Sequence, residues 1–164
     1  MRPEHSRENT EPIAPIARVD PIRTGITIGF LAIFAGGMIA AITAPLNLEK
    51  GSWLAAYLTL VAGLTQLLLS HQHQILRLAR PASRPLWIQL ALWIAGNLLV
   101  IVGSLATAPL AVDLGGAILV VALLIALKFS VGTPLVWRAW PLRLFYTAVI
   151  ISTPIGLVLA HTRV

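Results

Sequence analysis

Residues 86–107 read LWIQLALWIAGNLLVIVGSLAT. This run of 22 residues carries no charge, and its polar side chains are Gln89, Asn97, Ser104 and Thr107. Coiled as an α-helix at 1.5 Å per residue it is about 33 Å long, enough to cross the roughly 30 Å hydrocarbon layer of a bilayer. A soluble core helix of that length would need a charged face toward water, and this run has none.

Four further windows of the same kind flank it. They run from about Thr24 to Ala44, Ser52 to Ser70, Leu114 to Val131 and Leu142 to Ala160, the last interrupted by Pro154. The expected fold is therefore all-α: a polytopic membrane helix bundle of five transmembrane helices over residues 23–164. Composition agrees. Hydrophobic residues make up 57% of the 164 and charged residues 11%, against about 45–50% and about 25% in soluble domains. Residues 1–22 form a polar, proline-containing stretch without hydrophobic periodicity and are expected to be a disordered cytoplasmic tail. Asp20-Pro21 supplies an N-cap and a first-turn proline for the first span. Asp113 is expected to cap the fourth in the same way.

Orientation follows from the basic residues, which crowd the cytoplasmic side of bacterial membrane proteins. Arg2, Arg7, Arg18 and Arg23 precede span 1, Arg77, Arg80 and Arg84 join spans 2 and 3, and Lys128, Arg138 and Arg143 join spans 4 and 5. Only Lys50 and Arg163 fall on the other side. Ten against two predicts the N-terminus inside and the C-terminus outside. Trp53 on one side and Trp87, Trp137 and Trp140 on the other suit the interfacial belts of a bilayer. The basic charge is thus explained by topology, and no nucleic-acid partner is expected.

Successive helical residues turn by 100°, so the faces of each span follow from arithmetic. Gly25, Gly29, Ala32, Gly36 and Ala40 fall within about 80° on span 1, a stripe of small residues that lets helix backbones approach closely. The other reading of this stripe is a groove for a lipid or quinone tail. On span 3, Gln89, Trp93, Asn97, Ser104 and Thr107 share an arc of about 80°. On span 2, Ser52, Ala55, Thr59, Gly63 and Gln66 share a face, and a helix continued to Arg80, with Pro81 as its stop, adds Ser70, His73, Arg77 and Arg80. Gln66, Asn97, Ser104 and Thr59 are therefore the candidate intramembrane polar face, because amides at that depth turn toward other helices rather than lipid. His73, Arg77 and Arg80 are the candidate cytoplasmic mouth, or a contact with anionic headgroups. Pro154 in Ser152–Gly156 predicts a kink in span 5.

The same sequence argues against several chemistries. There is no cysteine, which removes disulfides, thiolate catalysis and Cys-type zinc sites. His71 and His73 stand about 160° apart on a helix and cannot chelate one metal. No paired carboxylates occur within the spans, and no catalytic residue, metal site or cofactor is expected.

WIAGNLLVIVGSL at 93–105, DLGGAILVVALLIAL at 113–127 and STPIGLVLA at 152–160 resemble a loose group of uncharacterised small actinobacterial multi-span membrane proteins. The resemblance extends less closely to GSWLAAYLTLVAG at 51–63. It implies a bacterial plasma-membrane protein of about five helices and carries no activity with it. The functional expectation is a non-enzymatic accessory or assembly subunit, with the lipid bilayer around it and a membrane-protein partner or a second copy beside it. The alternatives are a small permeation unit with a polar path lined by spans 2 and 3, and a haem- or quinone-binding protein.

Overall fold

The computed structural model describes the backbone of residues 20–75, 83–131 and 139–162, and the side chains of residues 20–72, 83–128 and 140–151. The tail, Arg77, Arg80, Pro81, Trp137, Arg138 and Arg163 lie outside the described residues, as do the side chains of His73 and Pro154. Five helices follow one another: α1 (Pro21–Thr43), α2 (residues 51–75), α3 (Ser83–Leu105), α4 (Pro109–Val131) and α5 (Ala139–Thr162). No strand occurs among the described residues, and the fold is an all-α helix bundle. Helices α1, α3, residues 51–72 of α2 and residues 109–128 of α4 are each long and apolar enough to cross a membrane. Helix α5 has 24 residues, of which Trp140–Ile151 form an apolar stretch with described side chains.

Local chemistry sets the helix ends. The Asp20 side chain accepts the Ile22 N–H at 3.1 Å and Pro21 opens α1, as the sequence predicts. At its other end Leu48 N–H reaches the Thr43 carbonyl across Asn47, whose φ is +48°. The pattern recurs at the end of α3. Ala108 N–H bonds the Gly103 carbonyl at 2.8 Å across Thr107, at φ +53°. These 6→1 bonds occupy carbonyls that a helix terminus leaves without partners. Asn tolerates the left-handed region, whereas β-branched Thr107 is strained there.

The connection between α3 and α4 is shorter than expected, only residues 106–108, because Pro109 starts α4. The expected capping role of Asp113 is therefore wrong. A proline with its φ already helical sets the first turn, which places Asp113 one turn inside the helix. Helix α2 also departs from expectation. Tyr57–Thr65 adopts π-helical hydrogen bonding between two α-helical pieces, Gly51–Ala56 and Gln66–Ile75. The Thr65 hydroxyl follows that register, donating to the carbonyl of Leu60 five residues back at 3.1 Å.

Two seams of glycine hold the helices in pairs. Along α1, a Cβ placed on Gly25 would run into the side chains of Gln66 and Ser70, one on Gly29 would lie 3.1 Å from the Gly63 carbonyl, and one on Gly36 would run into Thr59. The predicted small-residue stripe is thus packed against the predicted face of α2. Ala40, at the end of the stripe, is exposed. The second seam joins α3 to α4, where a Cβ on Gly115 would lie 2.8 Å from both the Gly96 carbonyl and the Val100 nitrogen. At Gly29, Gly36, Gly96 and Gly115 a backbone atom of the neighbouring helix lies within 3.1 Å of the added Cβ, so glycine is required there.

The apolar core lies among the other helices. It gathers Leu69 from α2, Trp93 and Val100 from α3, Leu119, Ala122, Leu123 and Ala126 from α4, and Leu142 and Tyr146 from α5. Helix α1 contributes no side chain to it. Its buried residues are Pro21, Gly25, Gly29 and Gly36, and Phe30, Leu31, Phe34 and Met38 point outward.

A candidate polar site within the bundle

Most of the buried polar side chains lie in the half of the bundle away from the two hairpin connections. Helix α2 supplies Thr65, Gln66, Ser70 and Gln72, and α3 supplies Gln89, with Asn97 nearer its middle. The requirement behind this is simple. In hydrocarbon a polar group must find a partner in the protein, and helices turn amides inward to reach one.

The four residues expected to form one polar face have different neighbours. Gln66 is 3% exposed and donates from Nε2 to Ser70 Oγ at 3.1 Å, against Gly25 of α1. Thr59 also faces α1, at Gly36, and its hydroxyl donates to the Ala55 carbonyl at 2.9 Å. Asn97 is turned back on its own helix, Nδ2 donating to the Trp93 carbonyl at 2.8 Å. Ser104 lies at the hairpin end of α3, where its carbonyl accepts Lys50 Nζ at 2.6 Å and ties the two hairpins together. Thr59 and Gln66 therefore belong to the α1–α2 contact, and Asn97 and Ser104 are distributed along α3. The His73 side chain, Arg77 and Arg80 lie outside the described residues.

Two groups outside the four expected face residues make the tertiary contacts. Gln72 is fully buried and its Oε1 accepts the Tyr146 hydroxyl of α5 at 3.0 Å. The signal for Gln72 in the sequence is spacing, since Thr65, Leu69 and Gln72 follow at i, i+4 and i+7 on one helix face. Gln89 lies on the predicted polar arc of α3. It lines a cavity of about 20 Å³ together with Gln66, Ser70, Leu69, Leu86 and Leu90, at the start of α1. Gln66 is 15 residues along α2 from Gly51, and Gln89 is 16 residues before Leu105. The two antiparallel helices thus bring these amides to the same depth.

Several buried polar atoms have no hydrogen-bond partner among the described residues. They include Gln66 Oε1, Gln72 Nε2, Gln89 Nε2, Trp93 Nε1, Asn97 Oδ1 and the Tyr57 hydroxyl. Each such group costs about 1–3 kcal/mol relative to a satisfied one. The site can donate and accept hydrogen bonds but holds no charged pair for proton transfer, and no group of three or more metal-ligating side chains occurs among the described residues. The His71 Nδ1–H is occupied by the Leu67 carbonyl of its own helix at 3.0 Å.

A second cavity is an open groove of about 490 Å³ between α1 and α2 at their hairpin end. Its walls are mostly small: Gly36, Gly37, Ala40, Ser52, Ala55 and Ala56. A Cβ added at Gly37 would meet nothing within 4 Å. Comparison with protein-family models, with curated proteins and with solved structures finds no match for this chain.

Proposed function

We propose that this chain is a non-enzymatic subunit of a bacterial plasma membrane, crossing it five times with the N-terminus inside and the C-terminus outside, and that it works by packing against another membrane protein. The observation that carries this reading is the α1–α2 groove with Gly37 at its open side. Glycine in a helix costs about 1 kcal/mol relative to alanine. At Gly25, Gly29 and Gly36 the chain's own packing accounts for that cost. At Gly37 nothing among the described residues does. Lipid tails are as apolar as the helices, so helices associate where small residues allow backbones to approach. A partner helix seated along Gly37 and Ala40 would supply the missing contacts. The permeation reading through Gln66 and Asn97 draws less support, because those side chains have separate neighbours.

The chain has no cysteine, so single cysteines report cleanly. Gly37→Cys, labelled with a reagent that joins the thiol at one end and carries a photoreactive group at the other, should on illumination in native membranes give a discrete cross-linked species whatever residues the partner presents. Leu98→Cys, exposed on α3 at a comparable distance from the hairpin end, should not. Equal cross-linking at the two positions, or none at Gly37→Cys, would remove the argument for this face.

A further inference from the structure

The cavity between Gln66 and Gln89 has a chemistry of its own. Gln66 and Gln89 are 3% and 4% exposed, and both line it. Gln66 Oε1 is an acceptor and Gln89 Nε2 a donor, each without a hydrogen-bond partner among the described residues. Ser70 Oγ accepts from Gln66 Nε2, which leaves its own O–H free to donate. Gln66, Ser70 and Gln89 thus bring one acceptor and two donors to the walls of a partly open space of about 20 Å³ that Pro21 and Ile22 also line, and small rotations of the two buried amides would turn those atoms into it. A single water needs about 10–15 Å³ and typically makes about three hydrogen bonds in such a site. The space is too small for a cofactor or an acyl chain, and a charged ligand would meet no counter-charge on these walls.

We infer that this cavity is a built hydration site holding one water molecule, which accepts from Gln89 Nε2 and the Ser70 hydroxyl and donates to Gln66 Oε1. Its place in the fold gives it a role. Gln66 belongs to the hairpin of α1 and α2, Gln89 to the hairpin of α3 and α4, and glycine seams close each hairpin separately. The water joins the two hairpins where the amides do not reach each other. A water-mediated link is nearly as favourable as a direct hydrogen bond and tolerates small displacements.

The test uses the full ¹⁵N-labelled chain in lipid nanodiscs and transfer of magnetisation from water to side-chain amides. Gln89 and Gln66 should show water cross-peaks of long residence. The Asn97 amide, held by the Trp93 carbonyl and lining neither cavity, should not. In Gln66→Leu, with the fold checked by Trp93 fluorescence, the Gln89 cross-peak should fall at least tenfold because the water has lost its acceptor. Absence of the Gln89 cross-peak in the natural chain, transfer from lipid protons instead of water, or an unchanged Gln89 cross-peak in Gln66→Leu would each overturn the inference.

Discussion

Replacing Gly115 with alanine adds one methyl group at the tightest point of the α3–α4 seam. That carbon would lie 2.8 Å from the Gly96 carbonyl oxygen and the Val100 nitrogen, and 2.9 Å from Leu99 Cβ. Ordinary contact begins near 3.4 Å, so the helices must separate by roughly 0.6 Å. The first two obstacles are backbone, which no rotamer change can move aside. Overpacking of this kind costs about 1–3 kcal/mol, while alanine recovers about 1 kcal/mol of helix propensity over glycine. The net expectation is a loss of up to about 2 kcal/mol. Gly37→Ala is the matched control, because its methyl meets nothing within 4 Å. In the isolated chain it should therefore stabilise by up to about 1 kcal/mol. The assay is reversible unfolding of detergent-solubilised protein by sodium dodecyl sulfate, followed by tryptophan fluorescence, to which Trp93, 1% exposed in the core beside this seam, contributes. The two variants should move the midpoint in opposite directions. If Gly115→Ala stabilises as much as Gly37→Ala, the close approach of α3 and α4 is wrong.

Three other outcomes follow from the same geometry. Tyr146→Phe should destabilise by about 1–2 kcal/mol, Gln72→Leu by less because it also removes the unpartnered Nε2, and the double variant by less than their sum; a fully additive cycle in the same unfolding assay would show that the 3.0 Å bond contributes no coupling. Thr107→Gly should raise stability by up to about 1 kcal/mol by relieving a β-branched residue at φ +53°; a lower midpoint would mean that the Thr107 side chain contributes more than its backbone costs. A reporter enzyme fused after Val164 should be active on the outer side only, and cytoplasmic activity would change the number of crossings.

The spans were readable before any coordinates because lipid imposes one rule on every residue within it, and uncharged runs of about 20 residues satisfy that rule visibly. The contact between the α1 stripe and the Thr59–Gln66 face was readable for a related reason. Glycine recurring at helical spacing has few causes other than close approach. The α3–α4 seam uses the same device, yet Gly96, Gly103 and Gly115 did not stand out, because α4 is apolar on all sides and offers no contrast to fix its phase.

The candidate site was less legible. Gln66 and Asn97 were recognisable as inward-facing, but pairing them required knowing which helices adjoin. Gln66 turns to α1 and shares its cavity with Gln89, while Asn97 bonds its own backbone. The capping role read into Asp113 failed because a proline four residues earlier took over the start of α4.

Sequence alone thus determined the all-α class, the four long apolar helices able to cross a membrane, the capped start of α1 and the face along which α1 and α2 meet. All of these depend on local composition and on the fixed rotation per residue of a helix. Tertiary structure decided the rest: the π-helical turns of α2, the pairing of Gln72 with Tyr146 across 74 positions, the cavity between two amides on different hairpins, and the groove that the chain leaves open at Gly37. Those features depend on how helices of nearly uniform hydrophobicity rotate and lean against one another. A sequence that is apolar on every face leaves that choice to the packing of small residues and a few buried amides.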